Sequence, residues 1–178
     1  LEIEIGQTYG LRLSGNYAYV LGRRKIVVIN VASLTSPSIV RTYELSNFSW
    51  SSGGGNAFAV AGRYAYIFAR DIPVNHLIII DINDLQNIRE VSRIQLKDGS
   101  GFACEISGNY LYELRNISSS DMATKLIVWN IRTPNSPVEE AKLGIDRWFV
   151  VNYTHMRLRD TYAYIVRGNN GLIAIMSG

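Results

Sequence analysis

The feature that most constrains this chain is that it repeats itself. Ser14-Gly15-Asn16-Tyr17-Ala18-Tyr19-Val20 returns as Ala61-Gly62-Arg63-Tyr64-Ala65-Tyr66-Ile67, as Ser107-Gly108-Asn109-Tyr110-Leu111-Tyr112, and as Arg159-Asp160-Thr161-Tyr162-Ala163-Tyr164-Ile165. The steps from Ser14 to Ala61, to Ser107 and to Arg159 are 47, 46 and 52 residues. A second landmark follows each: Lys25-Ile26-Val27-Val28-Ile29-Asn30, His76-Leu77-Ile78-Ile79-Ile80-Asp81, Lys125-Leu126-Ile127-Val128-Trp129-Asn130 and Gly171-Leu172-Ile173-Ala174-Ile175-Met176. Four copies of one unit account for nearly all of the 178 residues. A period in the forties restricts the chain to arrays in which each unit covers its neighbour's apolar face.

Within a unit the text reads as strands throughout. An apolar stretch such as Leu11 to Leu13 enters a Gly-Asn turn, which supplies the positive φ of a tight hairpin, and leaves it in Tyr-Ala-Tyr alternation. The β-branched landmark is apolar at consecutive positions, as a strand covered on both faces should be. Ser/Pro/Asn-rich turns at 33–38, 83–87 and 133–137 lead to outer strands at Val40 to Leu45, Glu90 to Leu96 and Glu139 to Ile145. No stretch combines a 3.6-residue period with helix caps, so helix should be minimal. The expected fold is all-β, a four-bladed β-propeller of four-stranded antiparallel blades. The third-strand text resembles the LVIVD repeat, a propeller repeat common in bacterial and archaeal cell-surface proteins. Leu77-Ile78-Ile79-Ile80-Asp81 carries the resemblance most fully, Asn30 and Asn130 stand at its polar position, and Met176 departs from it. The resemblance implies an extracellular or cell-surface setting, but it specifies no activity, because folds of this kind host many unrelated roles.

The fourth copy stops after its third strand, while Leu1-Glu2-Ile3-Glu4-Ile5 alternates like a strand that has no counterpart in the first copy. If this N-terminal strand is the outermost strand of the last blade, the ring closes without an open edge. The single domain then divides into blades at about 8–45, 56–96, 101–145 and 152–178, the last completed by 1–6. An arc of a longer ring, or half of an eight-bladed ring made by two chains, would leave the same text, so the chain is either a monomer or self-assembling.

Composition removes several classes. Apolar residues make up 47% and charged residues 19% of the chain, the balance of a globular domain. No apolar run approaches the roughly 18 residues of a membrane span, and the first residues do not form a signal-peptide core, so no membrane insertion is expected. Cys104 is alone and no Cys/His spacing suits zinc, which argues against a metal. The net charge of +3 has one basic cluster, Arg23-Arg24-Lys25, which reads as a solvated hairpin turn and not as a nucleic-acid surface. Gly-x-Ser-x-Gly, phosphate-binding Gly loops and His-Glu-x-x-His are absent, so no cofactor and no catalytic residue is assigned.

In a propeller, the loops from each outer strand to the next inner strand share a face with the loops between strands two and three. Here these are 6–9, 46–56, 97–101 and 146–152, with 21–24, 69–75, 115–124 and 167–170. Such loops on a rigid scaffold commonly carry binding. Two hold paired aromatics, Phe48 with Trp50 and Trp148 with Phe149, which either form a patch for a glycan or protein partner or plug the ring between blades. Aligning the inner strands puts Arg12, Ala59, Glu105 and Arg157 at one level near the axis, with Gly10, Ala57, Ala103 and His155 two residues earlier. Arg12, Glu105, Arg157 and His155 are therefore a second candidate ligand site, whose alternative reading is an ion-pair network fixing the ring. Cys104 aligns with Leu11, Phe58 and Met156 and should be a buried hydrophobe, while His76 should lie at a surface or edge. Asn47, Asn116 and Asn152 match the glycosylation acceptor pattern beside the long loops. The preferred expectation is a non-catalytic binding or scaffolding propeller. The alternatives are a small hydrolase or lyase with the axial pocket, and a structural self-assembly unit.

Overall fold

The computed structural model describes residues 5, 7–46, 57–71, 74–117, 124–146, 155–166 and 171–176. They form fifteen strands and, among the described residues, no helix. Blade 1 contains β1 (Thr8–Ser14), β2 (Tyr17–Gly22), β3 (Lys25–Asn30) and β4 (Ser38–Glu44). Blade 2 contains β5 (Phe58–Ala61), β6 (Tyr64–Asp71), β7 (Val74–Asp81) and β8 (Arg89–Gln95). Blade 3 contains β9 (Ser100–Ser107), β10 (Tyr110–Asn116), β11 (Thr124–Asn130) and β12 (Val138–Asp146). Blade 4 contains β13 (Met156–Arg159), β14 (Tyr162–Val166) and β15 (Leu172–Met176). Each sheet is an antiparallel meander in chain order, and together they are arranged as a four-bladed β-propeller.

The hairpin that opens each blade needs a left-handed residue at its first turn position. Gly15, Gly62 and Gly108 occupy it with φ of 55°, 55° and 56°. In blade 4 Asp160 takes the same place at φ 54°, and Asp is among the few side chains that tolerate this region. A feature that the sequence text does not disclose recurs on the outer side of the blades. The third and fourth strands slip register at Val28/Ile29, Ile79/Ile80 and Val128/Trp129, so each outer strand carries one extra residue, which sharpens the local twist.

The core lies in the seams between blades. Tyr19, Leu21, Ile26 and Val28 of blade 1 meet Ala65, Ile67, Ile78 and Ile80 of blade 2. Tyr66, Phe68, Leu77 and Ile79 of blade 2 meet Leu111, Ile127 and Trp129 of blade 3. Tyr112, Leu114 and Leu126 of blade 3 meet Ala163, Ile165 and Ile175 of blade 4. The third strands of the two middle blades, β7 and β11, therefore serve two seams at once, which is why β7 is apolar at successive positions. Leu45, Leu96 and Ile145, at the ends of the outer strands, each join the seam that follows their blade. Ile5 packs in the corresponding place against Ala18, Val20, Val27 and Ile29 of blade 1, as an outer strand preceding blade 1 would require. The rest of the expected closing strand, 1–4, lies outside the described residues.

One expectation is corrected. The third strand of blade 4 was expected to be covered on both faces, but in β15 Leu172, Ala174 and Met176 are exposed, alternating with Ile173 and Ile175. The Ile face meets blade 3, whereas the Leu172 face packs in none of the clusters.

The seam assignment makes a direct prediction. Ile79→Ala, in a fully buried seam position, should cost about 2–5 kcal/mol in urea unfolding. Leu34→Ala, in an exposed turn, should stay within about 0.5 kcal/mol of the parent.

Candidate functional site

The inner strands β1, β5, β9 and β13 follow one another around the axis. Arg12, Ala59, Glu105 and Arg157 each pair across to the second tyrosine of their blade, Tyr19, Tyr66, Tyr112 and Tyr164, so the structure puts them in one register as expected. It brings together only two of the charges: Arg157 Nη1 donates to the Glu105 carboxylate. Arg157 Nη1 also donates to the Met156 carbonyl at 2.9 Å. Arg12 Nη1 donates instead to the Leu11 carbonyl at 2.8 Å and makes no ion pair among the described residues. His155 is exposed just before β13, and its backbone carbonyl accepts the Val166 N–H at 2.9 Å. Arg157 stands largely in water, where an ion pair contributes little. Cys104 is buried and burial pushes its thiol pKa up, so it is not an activated nucleophile. His76 is half-buried inside β7, not at an edge, and its Nδ1 has no hydrogen-bond partner among the described residues.

Phe48, Trp50, Trp148 and Phe149 lie outside the described residues, so the choice between patch and plug is not read from them. What the fold fixes is where their loops start and end. The first joins β4 to β5 and the second joins β12 to β13, each an outer-to-inner connection. Other loops on that face are shorter than expected. β6 and β7 extend through most of 69–75, and Arg23-Arg24 is a two-residue hairpin with Arg24 at φ 73°. The Asn75 amide donates to the Gly99 carbonyl and Arg93 Nη2 to the Ser46 carbonyl at 3.3 Å, tying neighbouring connections together. Asn116 ends β10, paired with Ser100 on one side and Thr124 on the other, with its side-chain oxygen buried. It is a strand residue and not the surface-loop acceptor that its motif suggests.

The polar residue closing the third strand of blades 1, 2 and 3 proves to be a turn cap. Asp81 Oδ1 accepts the Asn83 N–H at 3.1 Å, Asn30 Oδ1 that of Ala32 at 2.9 Å, and Asn130 Oδ1 that of Arg132 at 3.0 Å. The oxygen is the common requirement, which explains why Asp and Asn alternate there. Asp81 adds an ion pair with Arg63 at 2.5 Å, joining this turn to the opening hairpin of the same blade. The hydrogen bond from Arg63, stronger than the opposing effect of burial, holds the Asp81 carboxyl below its ordinary range.

Sequence reasoning missed the most buried charges among the described residues. Glu113 and Arg115 of β10 are 0% and 1% exposed and joined by two hydrogen bonds, Nε to Oε1 at 2.8 Å and Nη2 to Oε2 at 2.6 Å. Trp129 Nε1 donates to Glu113 at 2.8 Å, and Arg115 Nη1 reaches Asp98 at 3.0 Å and Glu139 at 3.2 Å. Lys142 caps the group through Asp98 at 2.8 Å. Burial pushes the Glu113 pKa up against the pull of Arg115 and Trp129. Arg115 is held more firmly cationic, because its carboxylate partners outweigh its own burial. A signal was present in the repeat. Glu113 stands where the other blades have Val20, Ile67 and Ile165, and Arg115 where two of them have Gly22 and Ala69. The group sits on the side of blade 3 that meets blade 2, and a Cβ on Gly101 would collide with Glu113 and Phe68, each at 2.7 Å.

The described clefts include an apolar one of about 310 Å³ between blades 3 and 4, lined by Tyr110, Tyr112, Leu126, Val128 and Met176 among others. A polar one of about 620 Å³ surrounds Arg63, Asp81 and Arg89. Among the described residues no cluster of His, Cys, Asp and Glu is arranged to hold a metal ion, and no helix is long and apolar enough to cross a membrane.

Four meandering blades, seamed face to face, define a β-propeller. The family model of the LVIVD repeat matches residues 5–44, 53–95 and 156–175, more than half of the chain, and the chain belongs to that family. The matched residues pass over blade 3, where the Glu113 group replaces aliphatic side chains. Among solved structures the fold is similar to the crystal structure of the computationally designed Ika4 protein, at TM-score 0.63 and 12% identity over 100% of this chain and 96% of that one. It is also similar to the N-terminal domain of Nup159, at TM-score 0.53 and 15% identity over 94% of this chain and 40% of that one. No curated protein matches the chain. A propeller of LVIVD repeats is consistent with a binding or scaffold role.

Two predictions follow from the charged groups. Glu113→Ala should destabilise by about 3–5 kcal/mol by leaving a buried guanidinium under-paired. Glu113→Ile with Arg115→Ala, which installs the residues of blade 2, should recover most of that loss in urea unfolding. Asp81 stabilises the fold above its unfolded pKa, near 3.8, and this contribution is lost as pH falls through its lower folded value. Between pH 7 and pH 3 the urea midpoint should therefore drop further for the parent than for Asp81→Asn, which retains the capping oxygen but not the charge.

Proposed function

We propose that this chain is a non-catalytic binding or scaffolding propeller whose long-loop face takes a protein or glycan partner, outside the cell or at its surface. One observation carries the reading. The two loops that bear paired aromatics both join an outer strand to the next inner strand, and so they leave the blades at the same end. Four large aromatic residues, Phe48, Trp50, Trp148 and Phe149, thereby belong to connections that leave one end of a rigid scaffold. Aromatic anchors of this kind dominate binding energy where they are presented to a partner. The extracellular setting rests on the family alone.

The alternative, a hydrolase or lyase at the axis, has less support. Glu105, the residue that would have to exchange a proton, is held by Arg157. None of the clefts described above is lined by Arg12, Glu105, Arg157 or His155.

The test is a panel of immobilised glycans and extracellular protein domains, probed with the parent, Trp50→Ala, Trp148→Ala and the double variant. Buried Trp129 serves as an internal fluorescence reference for folding. Specific binding that weakens at least about tenfold in a variant with an unchanged melting temperature supports the reading. Binding indifferent to both substitutions, or unfolding of both single variants, contradicts it.

A further inference from the structure

Three seams of the propeller follow one rule: the tyrosine-bearing face of a blade covers the aliphatic face of the next. The same rule names the partners of the fourth seam. The tyrosine-bearing face of blade 4 consists of Tyr162, Tyr164, Val166, Leu172, Ala174 and Met176, and the aliphatic face of blade 1 consists of Leu11, Leu13, Ala18, Val20, Val27 and Ile29. The two faces do not seal against each other. Leu11 is 54% exposed, whereas its counterparts Phe58, Cys104 and Met156 are 0–2% exposed in their own seams. Leu172 is 62% exposed, whereas its counterpart Leu77 is 0% exposed. Ala18, Val20, Val27 and Ile29 cluster with Ile5 and Val31, and no strand residue of blade 4 joins them. Continuous apolar faces of this size are uncommon on the surface of a chain that functions alone.

We propose that the occupant of both faces is a second copy of this chain, with blade 4 of each copy seated on blade 1 of the other to form one ring of eight blades. The surface chemistry commits to that partner. Each exposed face already has its complement elsewhere in the same sequence, in the pairing that this chain uses three times internally. A head-to-tail contact of this kind ends only if it closes, and two copies related by a two-fold axis close it through two identical seams. The contact also continues the internal stack of seams. Ile5 already stands on blade 1 where Leu45 stands on blade 2, so an incoming blade 4 meets the residue that its own outer edge would supply. The inference does not depend on the proposed ligand-binding face, because neither seam face includes the aromatic loops.

The experiment is sedimentation equilibrium on the full chain, with Leu11→Glu and Leu172→Glu as probes. Both positions are exposed in the single chain, so a charge there should leave the β-sheet circular dichroism intact. The parent is expected at near 40 kDa, twice the 20.0 kDa of one chain, and each variant at near 20.0 kDa. An equimolar mixture of the two variants is expected to regain part of the 40 kDa species, because a mixed pair keeps one unaltered seam. A parent that stays at 20.0 kDa at every concentration overturns the proposal. So does a dimer that survives either substitution, since it must use another surface.

Discussion

Everything else in this molecule depends on the seam between blades. A single blade is a small meander whose two faces are both apolar, so it cannot be stable in water alone. Stacking the tyrosine-bearing face of one on the aliphatic face of the next removes both surfaces together, and burial of this kind is the main favourable term in folding. The side chains reflect that duty. Tyr17 and Tyr19, like Tyr64 and Tyr66, stand two residues apart on one face with ring centres 6.4 and 6.5 Å apart, edge to face. Such pairs widen the apolar surface that the next blade must cover. Burial in the seam pushes the Tyr66 phenol up to about 12.

Much of this is legible in the sequence because it is written four times. The Gly-initiated hairpin, the doubly covered third strand and the common level of Arg12, Glu105 and Arg157 all derive from the period, and superposing the copies recovers them. The pairing of Glu105 with Arg157 follows from the same superposition. What the period does not carry is less legible. The Glu113–Arg115 group depends on Asp98 and Glu139, which come from the approach to β9 and from β12, and such convergence is a property of the folded blade. The outer-strand bulge is a choice of pairing that leaves no residue signature. The exposure of β15 was hidden for a related reason: its text is that of a buried strand, and only the position of blade 4 at the end of the stack leaves one side uncovered.

The repeat also shows which polar residues build the scaffold. The polar residue that ends the LVIVD-like strand caps a turn, and its alternation between Asp and Asn is what a cap needing one oxygen permits. The buried charges of blade 3 are similarly occupied within the blade, Glu113 by Arg115 and Trp129, and Arg115 also by Asp98 and Glu139. At the axis, the Glu105–Arg157 pair belongs to neither group, and its guanidinium stands largely in water.

The central claim is that the seams make the blades one cooperative unit and not four separate sheets. Native-state amide hydrogen exchange across a range of low urea concentrations tests this most directly, because it reports the free energy at which each strand opens. The account predicts that β2, β3, β6, β7, β10 and β11 lose protection together, at the free energy of global unfolding, while β4 and β8 open earlier by local fluctuation. Blades that open one after another at well-separated free energies, with the second and third strands of each no better protected than its outer strand, would contradict it.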